Sequence, residues 1–332
     1  MKALLLVDES QDKIAIREME IPKPGANEAL VQIKAAALNH RDQWCRIGMY
    51  PGIKYDTVLG SDGSGVVTLL GEGADAGWMN KEVIINPNID WGPDEAAQHT
   101  AYHILGMPTN GTFAEYVVVN TDRLMEKPAH LGFTEAAALP LGGLTAYRAV
   151  FTKAKIEENQ KVLITGIGGG VAQFAYQFTA ATGAQVYVTS GSQNKIDQII
   201  NHGATGGFNY KNDNWAKEAL KETGGFDAII DSAGGESMND YLKIIRPGGR
   251  LVHYGSTTGA PKKLDMFRLF WSQASIHGST MGSDSEFVKM IEFVTSHSIV
   301  PIVDSVRGFD DIVSAFDDMH VGKQLGKLVI TI

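Results

Sequence analysis

The chain has 332 residues, 44% of them hydrophobic and 20% charged, with a mean hydropathy of −0.08. That composition excludes a disordered or fibrous protein and suggests two domains of about 150 residues each. Lys and Arg number 29 against 38 Asp and Glu, a net charge of −9, which argues against nucleic acid or an anionic membrane as the main partner, since phosphate binding needs clustered cations.

Residues 1 to about 125 read as β-rich. Short runs at 3–7, 29–35, 65–70, 81–85 and 114–119 are separated by Pro, Gly, Asn and Asp turns. Val31-Gln32-Ile33-Lys34-Ala35 alternates apolar and polar, the pattern of a half-buried strand. Residues 86–110 form a long irregular stretch, a length that marks a functional loop or a degenerate lobe. Thr134-Glu135-Ala136-Ala137-Ala138 predicts a capped helix start, broken at Pro140.

Beyond it, strand and helix alternate. Strands are predicted at 161–165, 185–190, 206–209, 226–231 and 250–254, with helices at about 171–182, 193–202, 214–222 and 237–245. The strands are nearly continuous apolar runs, as buried parallel strands must be. Repeated βα units of this kind predict a doubly wound parallel sheet. In the tail, Phe287, Met290, Ile291 and Val294 repeat at helix spacing. So do Phe309, Ile312, Val313, Phe316 and Met319, and a last apolar strand at 327–332 is expected to return to the N-terminal domain.

The strongest local signal is Val162-Leu163-Ile164-Thr165-Gly166-Ile167-Gly168-Gly169-Gly170-Val171-Ala172. A buried strand runs through a glycine turn into a helix. Glycines let the backbone approach a pyrophosphate, and the helix N-terminus offers free N–H groups and partial positive charge. No Gly-Lys-Ser/Thr follows, so this is not a P-loop. Dinucleotide binding is predicted. An NAD site wants an acid at the end of the second strand. Here that stretch is Ser190-Gly191-Ser192-Gln193-Asn194-Lys195, without an acid. Its hydroxyls, backbone N–H groups and Lys195 suit a 2′-phosphate, which predicts NADP(H).

Further motifs carry a family resemblance. They are Leu38-Asn39-His40-Arg41-Asp42, Arg46-Ile47-Gly48-Met49-Tyr50-Pro51, Leu59-Gly60-Ser61-Asp62-Gly63-Ser64-Gly65-Val66-Val67, Gly111-Thr112-Phe113-Ala114-Glu115-Tyr116, and Ala136-Ala137-Ala138-Leu139-Pro140-Leu141-Gly142-Gly143-Leu144-Thr145-Ala146-Tyr147. With the glycine turn, they make the whole chain resemble the medium-chain dehydrogenase/reductase superfamily. It is most similar to the zinc-free quinone oxidoreductase branch, with bacterial zinc-type alcohol dehydrogenase homologues as kin. The resemblance implies an α/β protein: a GroES-like β-rich catalytic domain at 1–125, completed by 281–332, and a Rossmann NADP-binding domain at 126–280.

In the zinc enzymes of that superfamily a Cys, a His and a Cys ligate the catalytic metal. Their positions match Asn39, Ser61 and Leu141, and the four-cysteine lobe matches 86–110, which has no cysteine. No metal is expected at either place. Cys45, His40 and Asp62 match no known zinc spacing, and Cys45 reads as a core residue. Without a Lewis acid, hydride chemistry suits an acceptor already activated by conjugation, a quinone or an α,β-unsaturated carbonyl.

By resemblance, Asn39, Asp42, Tyr50 and Tyr55 lie near that acceptor, with Asn39 or a tyrosine hydroxyl as oxygen donor. Asp42 can instead cap a turn. Thr145 resembles the threonine beside the nicotinamide, and Lys327 a basic residue reaching the cofactor phosphates. Gly166, Gly168, Gly169, Gly170 and Val171 form the pyrophosphate turn. Ser190, Gly191, Ser192, Lys195 and Tyr210 face the adenosine end. Ser232, Ala233, Gly255, Ser256 and Thr257 end the fourth and fifth cofactor strands, where ligands bind in open α/β sheets. His253 reads as a core histidine. The alternatives are a metal-free aldehyde or ketone reductase and a non-catalytic NADP-binding protein. A small electrophile as substrate, a homodimer and a cytoplasmic location are also expected, with neither nucleic acid nor membrane as partner. The N-terminal apolar run is too short for a signal peptide.

Overall fold

A computed structural model describes residues 1–332. Two compact units divide the chain: Met1–Gly142 with Ser283–Ile332, and Gly143–Gly282. Residues 126–142, assigned by resemblance to the cofactor domain, therefore pack with the N-terminal unit.

The first unit opens with β1 (Lys2–Leu6), β2 (Ile14–Glu18) and β3 (Glu28–Ala37), followed by α1 (His40–Arg46). Then come β4 (Thr57–Val58), β5 (Asp62–Leu70), β6 (Glu82–Ile85), β7 (Asn88–Ile89), β8 (His103–Ile104), β9 (Tyr116–Asn120) and β10 (Leu124–Glu126). β3 pairs antiparallel with β5 along its length and with β9 over Glu28–Gln32, so it lies inside the sheet with partners on both edges. Gly65 is required in β5: a Cβ there would sit 2.1 Å from the Gln32 carbonyl oxygen. The core gathers Leu4, Val31, Ile33, Val67, Phe113 and Phe316. Cys45 is 1% exposed in this core, and burial pushes its thiol up to about 12, so it is a packing residue.

The 86–110 stretch is an ordered lobe rather than an open loop. β7 and β8 pair antiparallel, and the Trp91 and Tyr102 rings meet edge-on at 5.2 Å. The Tyr102 hydroxyl donates to Asn88 Oδ1 at 2.9 Å, and Glu95 accepts from the Ser283 and Ser285 hydroxyls. Side-chain hydrogen bonds and an aromatic pair thus close a lobe that carries no cysteine.

α2 (Phe133–Ala138) starts one residue before Thr134, with Gly132 at its N-cap. Pro140 ends it and opens α3 (Pro140–Tyr147), since proline tolerates the first helical position, where no N–H is needed.

The second unit holds β11 (Lys161–Ile164), α4 (Gly170–Ala181), β12 (Gln185–Ser190), α5 (Gln193–Asn201), β13 (Gly206–Asn209) and α6 (Trp215–Thr223). It continues with β14 (Phe226–Asp231), α7 (Ser237–Ile244), β15 (Ile245–His253), α8 (Met266–Trp271) and β16 (Ser275–Gly278). The sheet order is β13-β12-β11-β14-β15-β16, all parallel. That is the doubly wound arrangement, with its switch point between β11 and β14. It has one strand more than the sequence pattern predicts: β16 is a four-residue Ser-Ile-His-Gly run with half its positions exposed.

The chain then returns to the first unit through α9 (Asp284–Ser296), β17 (Val303–Gly308), α10 (Ile312–Val321) and β18 (Lys327–Thr331). β18 lies between β17 and β3, antiparallel to β3. No helix is long and apolar enough to cross a membrane.

Candidate active site and cofactor site

Strand register assembles the polar cluster of the first unit. Ala37 at the end of β3 pairs with Asp62 at the start of β5, and with Val329 of β18. The Leu38 N–H donates to the Leu328 carbonyl at 3.0 Å. Asn39, Asp62 and Lys327 therefore share one end of three adjacent strands.

Lys327 Nζ donates to Asn39 Oδ1 at 2.6 Å and to Asp62 Oδ2 at 2.9 Å. Asn39 Nδ2 donates to the same Asp62 oxygen at 2.8 Å. The Leu141 N–H, in the first turn of α3, donates to Asp62 Oδ1 at 2.7 Å. Asp62 is fully buried and Lys327 is 2% exposed. A buried ion pair persists only when hydrogen bonds satisfy both groups, and here both carboxylate oxygens are engaged. Lys327, which the resemblance directs at the cofactor phosphates, is engaged inside the first unit.

Arg41 organises the next layer. Its Nη1 donates to Ser61 Oγ at 2.5 Å and to the Leu105 carbonyl at 2.9 Å, while Nε donates to the Tyr50 hydroxyl at 3.3 Å. The guanidinium lies 4.6 Å from the Tyr50 ring centroid. Asp42 Oδ2 accepts the Asn39 N–H at 2.8 Å, and its other oxygen has no hydrogen-bond partner. Burial pushes the Asp42 carboxyl up to about 6, against the opposing pull of Arg41.

Asn39, Asp42 and Lys327 are thus brought together, with Tyr50 one step away through Arg41. Tyr55 is not part of this cluster. It is 45% exposed and lines a depression of about 410 Å³ with Lys13, Arg46 and His320. Asp62 and Arg41 complete the cluster; the sequence signal for both was the two motif strings that contain them, and only the strand register reveals their partners.

Asn39, Ser61 and Leu141, at the positions the resemblance aligns with zinc ligands, do not fit that metal. The leucine side chain has no donor atom. The Asn39 oxygen faces an ammonium, and the Ser61 hydroxyl lies between Arg41 and the Leu105 carbonyl, to which it donates at 2.8 Å. No three His, Cys, Asp or Glu side chains converge as a metal site.

In the second unit, the glycine turn follows β11. Gly166 has φ +61°, a conformation that favours glycine, and Gly169 caps α4 in extended backbone. The Gln173 N–H donates to the Gly169 carbonyl. The N–H groups before it, those of Gly170 and Val171 among them, have no helical acceptor. No acid lies in the first turn of α4 or of α5. An anion is favoured at such a helix start, and these residues fit a dinucleotide pyrophosphate.

Ser190 closes β12, its Oγ accepting the Ser192 N–H at 3.1 Å. Tyr210, half-exposed, and Lys211 follow β13 and cover Gly191. Lys195 lies in the first turn of α5. Lys211 escaped the sequence reading because it stands beyond the third strand, outside any motif. The loops after β14 and β15 are joined: the Thr257 and Thr258 N–H groups donate to the carbonyls of Ser232 and Ala233 at 3.4 and 2.9 Å. A Cβ on Gly255 would sit 2.9 Å from the Ser232 oxygen, while Ser256 continues the same loop. Thr145 is 5% exposed, with Oγ1 3.6 Å from Met281 Sδ. His253 is not a simple core residue: its Nδ1 lies 2.9 Å from Asp231 Oδ2, and its side chain is 27% exposed.

Comparisons with known proteins agree with this architecture. Residues 25–129 match the alcohol dehydrogenase GroES-like domain, and residues 170–296 match the zinc-binding dehydrogenase family. The zinc-type alcohol dehydrogenase-like protein YogA of Leptosphaeria maculans is 38% identical over 94% of this chain and 92% of its own. A zinc-type alcohol dehydrogenase-like protein of Schizosaccharomyces pombe, C1773.06c, is 32% identical over 97% and 96%. A crystal structure of an NAD-dependent alcohol dehydrogenase superposes with a TM-score of 0.94 at 34% identity, covering 100% of both chains. The chain therefore belongs to the medium-chain dehydrogenase/reductase superfamily, among its zinc-type alcohol dehydrogenase-like members, and is an oxidoreductase of the kind that binds a nicotinamide cofactor.

Proposed function

We propose that this oxidoreductase uses NADPH to reduce a conjugated electrophile, a quinone or an α,β-unsaturated carbonyl, without zinc. The observation that carries this reading is the Lys327–Asn39–Asp62 cluster, which engages Asn39, one of the three residues aligned with zinc ligands, in an ion-pair network. A simple ketone or alcohol needs its oxygen strongly polarised before hydride moves. A conjugated acceptor spreads the incoming charge itself and needs only a hydrogen-bond donor at oxygen. Crotonyl-CoA reductase of Streptomyces collinus, 27% identical over 96% of this chain and 83% of its own, is named for a conjugated substrate.

When bound, the dinucleotide supplies hydride. The chain's own residues position it. The glycine turn and α4 start bind the pyrophosphate, and Ser232, Ala233 and Gly255–Thr257 flank the strand ends. Ser190, Ser192, Lys195 and Lys211 suit a 2′-phosphate, and no carboxylate stands in that stretch to select NAD. Asn39 donates to the acceptor oxygen. We also propose a homodimer, in which the free edge of β16 and the exposed face of α8 meet a second copy.

The second reading is a metal-free aldehyde or ketone reductase, favoured by relatives named NAD-dependent alcohol dehydrogenase, such as one of Sulfolobus acidocaldarius at 28% identity over 100% of both chains. Turnover of a quinone, an enone and a simple alcohol, each with NADPH or NADP⁺ and with NADH or NAD⁺, separates the two. Quinone or enone reduction with NADPH should dominate. Alcohol oxidation exceeding both overturns the proposal.

A further inference from the structure

The Asn39 amide has two N–H donors to account for, beside an oxygen that can accept twice. Its oxygen accepts from the Lys327 ammonium at 2.6 Å. One N–H goes to Asp62 at 2.8 Å. The second N–H is not taken by any protein group. The orientation is not arbitrary, because a flipped amide would turn its NH₂ onto the ammonium, donor against donor. The ion pair therefore fixes which way the amide faces, and its remaining N–H is a free donor.

Electrostatics then add to geometry. A cation at an amide oxygen draws electron density toward that oxygen and makes the N–H groups better donors, and the effect is larger where water is absent. The Asp62 charge opposing it is shared with Lys327 and the Leu141 N–H, at 2.9 and 2.7 Å. Asn39 itself is 8% exposed, so it sits at the edge of the buried cluster.

We propose that Lys327 is a positioning residue acting through Asn39: the ammonium, held by Asp62, orients and polarises the amide so that its remaining Nδ2–H binds an oxyanion. This rests on the reading above and names its chemistry more closely. Hydride from NADPH forms a C–H bond at the β-carbon of the acceptor. The C=C pair shifts, and the carbonyl oxygen becomes the enolate oxygen that Asn39 binds. The nicotinamide is oxidised, and a solvent proton completes the α-carbon.

The test uses para-nitrophenolate, a planar conjugated oxyanion whose absorbance reports hydrogen bonding, titrated into NADP⁺-loaded wild type, Lys327→Gln and the Lys327→Met/Asp62→Asn pair. The pair removes both charges together and leaves no buried ion unpaired. Lys327→Gln keeps a donor to Asn39 but loses the charge, and serves where the pair fails to fold. Wild type should prefer the phenolate to the neutral nitrobenzene analogue. That preference should fall about tenfold in either variant, the scale of a charge-assisted hydrogen bond. NADP⁺ affinity should stay unchanged, and kcat for an enone should fall while KM for NADPH holds.

Absence of the phenolate preference in wild type, or its persistence in both variants, overturns the inference. Enone turnover by wild type judges the reductase reading separately. A selective phenolate site lost in the variants, in a protein that reduces no electrophile, would sustain the inference and remove that reading.

Discussion

Lys211 lies directly over Gly191: a methyl group on that glycine would sit 2.8 Å from Lys211 Cε and 2.8 Å from the Tyr210 hydroxyl. The closeness places a cation on the Ser190–Ser192 turn, where a dinucleotide's adenosine ribose is recognised in such sheets. Lys211→Ala should raise the KM for NADPH about tenfold and leave that for NADH within about twofold, the loss of one charge-assisted contact to phosphate. Ser190→Asp should reinforce the change by repelling the 2′-phosphate. The ratio of kcat/KM values for NADPH and NADH checks both; an unaltered ratio places the phosphate elsewhere.

The contrast between Lys211 and Gly166 marks what the sequence could reveal. Gly166 belongs to a strand–turn–helix pattern whose physics is local, so its turn conformation is legible from neighbouring residues. Lys211 meets Gly191 only because β12 and β13 pair in parallel with Ser190 opposite Asn209. Lys327 and Asp62 likewise stand 265 residues apart and meet through β3. Apolar periodicity announced α9, α10 and β18. It did not announce β16 or β17, whose short runs alternate half-buried and exposed positions without a continuous apolar face.

Asp231, at the end of β14, ties together the strand ends of β11, β14 and β15. Its carboxylate accepts from Thr165 Oγ1 at 2.6 Å, the Gly234 N–H at 2.8 Å, the Tyr241 hydroxyl at 2.9 Å and His253 Nδ1 at 2.9 Å. Burial raises its pKa, but the four donors, His253 foremost, more than offset this and hold it below the ordinary value. The depressed folded pKa means that this carboxylate stabilises the fold above about pH 3.8, its unfolded value, and ceases to do so as pH falls through the folded one. Asp231→Asn should cost about 3 kcal/mol at pH 7, the scale of breaking a buried network. Urea unfolding at pH 7 and near pH 3.5 checks it. The penalty should shrink at the acid end, and a constant penalty would contradict the charged state.

Asp42 has the opposite sign. Its carboxyl is pushed from 3.8 up to about 6 by burial, so the folded state holds a proton that the unfolded state has released between those values. Stability drawn from Asp42 therefore declines as pH rises across that window. The amide of an Asp42→Asn variant cannot ionise. Relative to wild type, the variant should gain about 3 kcal/mol between pH 4 and pH 7, about 1.4 kcal/mol for each unit of displacement. Denaturant midpoints of the two proteins across this range measure the difference. A gap that does not move with pH would show Asp42 titrating normally.

On α8, Met266, Phe267, Phe270 and Trp271 are each at least 60% exposed, and the Phe267 and Trp271 rings stack at 5.9 Å with 9° between planes. Four large apolar side chains on six helical residues are costly to leave in water, at about 25 cal/mol per Å² of apolar surface. The helix leads directly into β16, whose far edge carries no partner strand. An unpaired edge beside an apolar face is suited to a two-fold contact, because the same strand and helix of a second copy supply matching hydrogen bonds and matching rings. The protein should run as a dimer by light scattering at micromolar concentration. Phe267→Glu with Trp271→Glu should shift it to monomer without lowering the far-ultraviolet circular dichroism, since neither ring contributes to the buried core. A dimer that survives both substitutions would move the interface to another face.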